Sequence, residues 1–533
     1  MKFSYITLFF FFLVGCFAPS SKPASLRIAF NSYPVTLDPR KSGDFTSASL
    51  IGLLYEGLTR CGPNEEIIPA AAYKIDISPD GKLYTFHLRK TYWTDGKPVT
   101  ALDFEKSWKK SIDPSFPCLS TYLFSSIKNV ENYIQGKLSL KEVGIQALDP
   151  YTLQVELERP TPYFLSLTAF PIYLPIPNHR EERGDKNDPG HLVCNGPFRI
   201  EKMVPNNEIL LRKNKQFWNK KEISLDSIHI SIVADETTGL QMFERGDLDF
   251  IGGPLSPLPP DSLKYLSNQG SLHFIPMDAS TFCAFNNQTF PFHNISLRKA
   301  FSYALERKTI LEETLQTGQT PAITPLPPSL FPSSLQDQYP IIKTNLQEAK
   351  NLFQKALKEL NISASDLNQM TLYYKPGKDN QRLAQTLQKN WEKVLGVTLK
   401  IEQLDQKSHL EKLHNHDYQI ALASWICQFH DPISLLDRFR YAENPKNYSG
   451  WENDDYISLL EQASLCSNRL ERYMILKKAE EIFINEMPII PLYHWRSPYI
   501  SHKKIKKIAT TASGGILFEQ FQINDPLPIH LMK

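Results

Sequence analysis

The chain has 533 residues, 41% of them hydrophobic, and its 59 Lys+Arg against 57 Asp+Glu leave a formal net charge of +2. With 23 Tyr, 31 Phe and 7 Trp to bury, it is not an intrinsically disordered chain, and its length allows several domains with sizeable cores. No long block of like charge offers a nucleic-acid footprint.

Lys2 is followed by an apolar run from Phe3 to Phe12 and then by Leu13-Val14-Gly15-Cys16. That run is shorter than the roughly 20 residues of a spanning helix and ends in small residues, the layout of a secretory signal. Leu-Val-Gly-Cys resembles the bacterial lipobox, in which cleavage precedes a cysteine that becomes lipidated; the alternative is an ordinary signal peptide with a coincidental cysteine. Residues 1–15 are therefore expected to be a lipoprotein signal peptide, Cys16 the lipidation site, and 16–25, with Pro19, Pro23 and several serines, a lipidated tether. The mature chain would sit in the cell envelope, on a periplasmic or extracellular face, held by its end. Cys61, Cys118, Cys194, Cys283, Cys427 and Cys466 form no CxxC pair and no zinc spacing, and read as buried free thiols.

Along the mature chain, Leu26 to Phe30 alternates like a strand, and Leu50, Leu54 and Leu58 form one helical stripe over Ser47 to Leu58. Leu83 to Leu88 alternates again between the turn signals Pro79-Asp80-Gly81 and Thr94-Asp95-Gly96, and Tyr151 to Leu157 repeats the strand pattern. Helices with legible ends follow. One carries Leu297, Ala300, Phe301, Ala304 and Leu305 after Ser296, with Gly318 as a stop. Asn345 with Glu348 opens a second as a capping box. A third carries Leu383, Leu387, Trp391 and Val394 and meets Gly396, after which Val397 to Ile401 alternates as a strand. Asn468 with Glu471 opens the last, which Pro488 ends. The Pro-rich stretch from Pro321 to Pro340 reads as a surface connection.

Catalytic signatures are missing: there is no GxSxG, HExxH, helix-opening GxGxxG or GxxxxGK[ST]. His414 and His416 flank Asn415 beside Asp417, but histidines two apart face the same way only on a strand, and the group reads as a solvated turn. Asp454-Asp455 and the Asp247/Asp249 pair have no visible activating partner. The chain is read as a non-enzyme that needs neither cofactor nor metal.

Several segments, taken in order, carry a resemblance. They are Thr36-Leu37-Asp38-Pro39, Leu54-Tyr55-Glu56-Gly57-Leu58-Thr59, Ser78 to Arg89 running into Trp93 to Phe104, Asn195-Gly196-Pro197-Phe198, Arg245 to Asp249, and Asn286-Asn287 with Pro291-Phe292 before Leu297 to Arg307. As an ordered set they resemble the oligopeptide-binding family (family 5) of bacterial ABC-importer solute-binding proteins. The resemblance implies an α/β, two-lobed clamshell of the class II periplasmic-binding-protein type, with an extra domain inserted in lobe one. Mapped here, lobe one takes 26–55, 180–280 and 495–530, the inserted domain 56–179, and lobe two 281–494. Such a protein closes by a hinge on an extended peptide, whose backbone adds to strand edges while its termini meet opposite charges.

The same resemblance places Asp44, Tyr122, Ser424, Trp425, Gln428 and Asp431 among the ligand-facing residues. Ser424 to Pro432 looks like the family's ligand-facing strand end, yet Gln428 stands where peptide binders place the aspartate that holds the ligand's ammonium. A neutral amide cannot neutralise that charge. Leu413 and Leu422 likewise stand where some peptide binders put arginines. The expected function is that of a monomeric receptor passing oligopeptides, including peptidoglycan-derived ones, to an ABC permease in the membrane. The alternatives are the same fold retuned for a metal chelate, glycan or amino acid, an exported hydrolase, or a structural surface lipoprotein.

Overall fold

Alternating burial builds the first layers of the fold. The computed structural model describes residues 23–62, 66–118, 120–181, 192–336, 341–511 and 513–523, so Cys16 and the signal segment lie outside the described residues. β1 (Ser25–Phe30) buries Leu26, Ile28 and Phe30, and α1 (Phe45–Leu54) follows it, ending four residues before Leu58, where the apolar stripe would end it. An inserted domain carries the antiparallel sheet β2-β3-β5-β4, formed by β2 (Ala72–Ile77), β3 (Leu83–Leu88), β4 (Ile145–Asp149) and β5 (Thr152–Glu156). Tyr84, Phe86 and Leu88 of β3 face inward, in one core with Phe104 and Trp108 of α2 (Ala101–Ser111). The Trp93–Phe104 segment is held together by Asp103, which accepts from Trp93 Nε1, from Thr100 N and from Asn178 N, tying three loops to one buried carboxylate.

Lobe one continues with β6 (Phe198–Val204), β7 (Glu208–Lys213), β8 (Ser227–Ile232) and β9 (Phe250–Gly252). Its junction with the inserted domain explains two of the sequence motifs. Asn195 and Glu56 exchange hydrogen bonds, Glu56 N donating to Asn195 Oδ1 and Asn195 Nδ2 to Glu56 O, both at 3.0 Å. Gly196 N donates to Leu54 O at 2.8 Å, and a Cβ at Gly196 would lie 2.5 Å from the Leu54 carbonyl carbon, so only glycine allows this approach.

Two thirteen-residue strands join the lobes: β10 (His273–Phe285) and, near the C-terminus, β14 (Ile489–Ser501). They pair antiparallel, His273 to Pro276 with Arg496 to Tyr499 on the lobe-one side, and Phe282 to Ala284 with Ile489 to Pro491 on the lobe-two side. The register shifts between Pro276 and Ser280, where the sheet passes from one lobe to the other. Lobe two adds α3 (Ile295–Tyr303), α4 (Leu346–Leu360), β11 (Thr371–Tyr374), α5 (Lys378–Leu395), β12 (Lys400–Gln403), α6 (Gln406–His414), β13 (Ile420–Ile426), α7 (Asp454–Leu465) and α8 (Arg469–Glu486). The result is one eleven-stranded sheet of order β12-β11-β13-β10-β14-β9-β1-β8-β7-β6, with Thr320–Pro321 paired on β14.

Helix ends follow the sequence closely. Asn345 Oδ1 accepts from Glu348 N, Asn468 Oδ1 from Leu470 N and Glu471 N, and Gly396 takes the left-handed turn after α5 at φ 71°. Each such cap contributes about 1 kcal/mol. Arg298 and Arg307, both buried, explain the Leu297–Arg307 motif. Arg298 donates to the carbonyls of Phe292 and Glu486 at 2.7 Å, and Arg307 Nε donates to Pro491 O at 2.7 Å.

Two expectations are corrected. The Pro321–Pro340 stretch is not a surface connection over its described part: Leu326, Leu330 and Phe331 are buried in the core of lobe two with Phe282 and Trp425. The strand expected from Val397 begins only at Lys400, where pairing with Thr371 starts; Val397 and Leu399 ahead of it are buried outside the ladder. His416 sits in a left-handed turn at φ 53°, its Nε2 2.8 Å from Asn447 O, and Asp249 is buried between Arg27 and Lys504. Cys194, Cys283 and Cys427 are buried free thiols, while Cys61, Cys118 and Cys466 are half-buried.

Candidate functional site

β11 is only four residues long, and this leaves β13 half-covered. β13 pairs with β10 along its whole length, from Ile420↔Phe285 to Ile426↔Ala279, but meets β11 only at Leu372↔Ile420 and Tyr373↔Ala421. From Leu422 to Ile426 one edge therefore has no ladder partner among the described strands. Unpaired N–H and C=O groups on such an edge are a template for an added strand.

The end of β13 is pinned from several sides. Cys427 N donates to Asp278 O at 2.8 Å, Gln428 N to Ser434 Oγ at 3.0 Å, and Arg438 Nη2 to Ile426 O at 3.0 Å. Asp278 is itself buried, its carboxylate accepting from Ser329 Oγ at 2.8 Å and lying 2.6 Å from His430 Nδ1. Burial, followed by the Asp278 charge, pushes the Cys427 thiol well above its ordinary value.

The six residues anticipated at the site fall in different places. Ser424 bonds Thr281 across the sheet, Oγ to Oγ1, at 2.8 Å. Trp425 points into the core, its ring 3.9 Å from Phe282 and edge-on to Phe439 at 4.7 Å, so it supports the strand end rather than lining the cleft. Gln428 is half-buried at the rim. Asp431 is buried and fully occupied: Arg472 Nη1 and Nη2 donate to its two oxygens at 2.6 and 2.9 Å, and Ile433 N donates to Oδ1 at 3.0 Å. Asp44 caps α1, accepting from Ser47 N at 2.8 Å. Leu413 and Leu422 are both buried in lobe two.

Tyr122 comes from the inserted domain and meets lobe two directly: Lys446 Nζ lies 4.2 Å from its ring centroid. Tyr163 of the inserted domain also meets lobe two, stacking on Phe429 at 4.8 Å. Arg438 completes this end, its guanidinium 5.6 Å from the Trp425 ring. Burial lowers the pKa of Arg438, and burial followed by repulsion from Arg438 lowers that of Lys446. The Tyr122 hydroxyl is raised by burial, with Arg438 opposing. Sequence reasoning missed Arg438, Lys446 and Tyr163, which stand outside every motif; Phe429, inside the Ser424–Pro432 segment, was the one signal available.

This architecture has known counterparts. A profile of the bacterial extracellular solute-binding proteins, family 5 middle region, matches residues 66–447. The oligopeptide-binding protein OppA of Bacillus subtilis is 36% identical over 504 residues, covering 94% of this chain and 92% of that protein. The periplasmic murein peptide-binding protein MppA of Escherichia coli is 28% identical, covering 87% and 86%. Among solved structures, the unliganded open form of MppA superposes with a TM-score of 0.82 at 26% identity, covering 95% of this chain and 99% of that one. Peptide-bound OppA of Listeria monocytogenes superposes at 0.71 and 25% identity, covering 94% and 99%. With the profile spanning most of the chain and the fold matched end to end, the chain belongs to family 5 of the bacterial extracellular solute-binding proteins.

Proposed function

We propose that this protein captures oligopeptides, including peptidoglycan-derived ones, between its two lobes and hands them to an ABC permease. The observation that carries this is the half-edge of β13 from Leu422 to Ile426, which no described strand covers and at whose end the Ile426 carbonyl is held by Arg438. An extended peptide laid there gains main-chain hydrogen bonds without its sequence being read. Relatives named for oligopeptide, dipeptide and murein peptide binding support the same ligand class.

The boundaries at 280/281 and 494/495 fall inside β10 and β14, so both crossings between the lobes would act as hinge strands, with the register shift after Pro276 as the point of bending. Lobe one would comprise 26–55, 180–280 and 495–530, and the inserted domain 56–179. The receptor works as a monomer, outside the cytoplasm, anchored through lipid on Cys16. Binding rather than catalysis is its role.

A thermal-shift screen of short peptides, sugars and nickel chelates tests the ligand class. A bound ligand stabilises by RT ln(1 + [L]/Kd), about 2.7 kcal/mol at a hundredfold excess over Kd. Stabilisation by peptides alone supports the proposal; stabilisation by a sugar or chelate and by no peptide overturns it.

A further inference from the structure

We infer that the cleft end around Gln428 takes a ligand group bearing a carboxylate, in place of a free ammonium. The inference rests on the peptide reading above and names the chemistry of that ligand's leading end.

Two cations converge on this end without a counter-charge. Arg438 donates from Nε to Ser434 O at 3.3 Å and from Nη2 to Ile426 O at 3.0 Å, which leaves Nη1 with no hydrogen bond among the described residues. Ser434 also accepts from Gln428 N, so the guanidinium and Gln428 are held on the same short loop. Lys446 makes no ion pair and no side-chain hydrogen bond among the described residues, and its ammonium rests only on the Tyr122 ring. The Lys446 pKa is lowered first by burial and then by the Arg438 charge.

The acids of this loop region already have partners: Asp431 is held by Arg472, Asp278 lies against His430 and Ser329, and Asp437 pairs with Arg440 at 2.7 Å. The half-buried Arg438 guanidinium keeps Nη1 open and the exposed Lys446 ammonium has no acid partner among the described residues, and a planar carboxylate matches the open side of a guanidinium. Gln428 fits the same ligand: its amide NH₂ donates to a carboxylate, whereas an aspartate there would pair with Arg438 and cancel the site.

The test is calorimetric titration of the purified protein with Ala-Ala-Ala, N-acetyl-Ala-Ala-Ala and N-succinyl-Ala-Ala-Ala. These share one backbone and differ in a free ammonium, a neutral cap and a capped carboxylate. The succinyl peptide should bind about tenfold or more tighter than the acetyl peptide, the gain of one charge-assisted contact. Lys446→Gln and Arg438→Gln should each shrink that gap, read as the ratio of succinyl- to acetyl-peptide affinity within each variant. Gln428→Asp should shift preference to the free ammonium. Equal affinity for succinyl and acetyl peptides, or tightest binding of Ala-Ala-Ala by the natural protein, overturns the inference and leaves the peptide reading standing. Binding of none of the three contradicts the peptide reading and the inference with it.

Discussion

Tyr163 of the inserted domain and Phe429 of lobe two stack face to face, their ring centroids 4.8 Å apart and their planes 9° from parallel. The pair links two parts of the chain separated by the whole of lobe one's central segment. With the Lys446–Tyr122 contact it is one of the ring contacts between the inserted domain and lobe two. An offset aromatic pair contributes about 0.5–1.5 kcal/mol beyond its buried area. In a double-mutant cycle with Tyr163→Ala and Phe429→Ala, urea unfolding should show a coupling energy in that range. Strict additivity would mean that the rings touch without stabilising the contact.

Asp431 offers a sharper test, because its carboxylate has two possible partners, Arg472 within the protein or an ammonium on the ligand. The geometry favours Arg472, which reaches both oxygens in a buried pair. Asp431→Asn strands that guanidinium and should cost about 3–5 kcal/mol of stability, the range for breaking a buried pair. Peptide affinity of the folded fraction should change little. A selective loss of affinity with stability intact would assign Asp431 to the ligand instead.

Two buried glutamates make stability depend on pH. Burial pushes the Glu56 carboxyl up to about 7, opposed by its bond from Trp218 and by Arg60 and Arg89, and pushes Glu480 up to about 8, opposed by Leu326 N and Lys477. Both start from 4.5, so across this window the folded state holds protons that the unfolded chain releases. Their stabilising contribution is complete below about 4.5 and is lost as pH rises through about 7 and 8, at up to about 1.4 kcal/mol per pH unit per proton. Glu480→Gln should flatten the fall in urea midpoint on the alkaline side of that window. A variant with the same slope as the natural protein contradicts the assignment.

The anchor is testable at one atom. If Cys16 carries acyl chains, each buried CH₂ holds the body at the membrane by about 0.8 kcal/mol. Cys16→Ser should release folded protein from membranes or stall its processing. Unchanged detergent partitioning of the variant would rule out lipidation at that residue.

Much of the fold is legible in the sequence where the signal is local. The alternation in Leu83 to Leu88 and the caps Asn345, Asn468 and Gly396 all depend on neighbours a few residues away. The pairing of β10 with β14 is not legible, because their partners are separated by about two hundred residues and β10 is buried on both faces from Ala279 to Phe285, which erases its alternation. Proline density misread the 321–340 stretch: the prolines do interrupt helix and strand, but Leu326, Leu330 and Phe331 between them are what the core takes up. The site was half legible. Ser424 to Pro432 marks the strand end, yet whether Trp425 faces a ligand or Phe282, and whether Asp431 is free or paired with Arg472, depends on residues far away in sequence.

The central claim is capture between lobes that close about the paired strands β10 and β14. Small-angle scattering of the protein with and without a saturating peptide tests it most directly. The account predicts a smaller radius of gyration in the bound state, reflecting closure of about ten degrees or more. An unchanged radius, with binding demonstrated by calorimetry on the same sample, would contradict it.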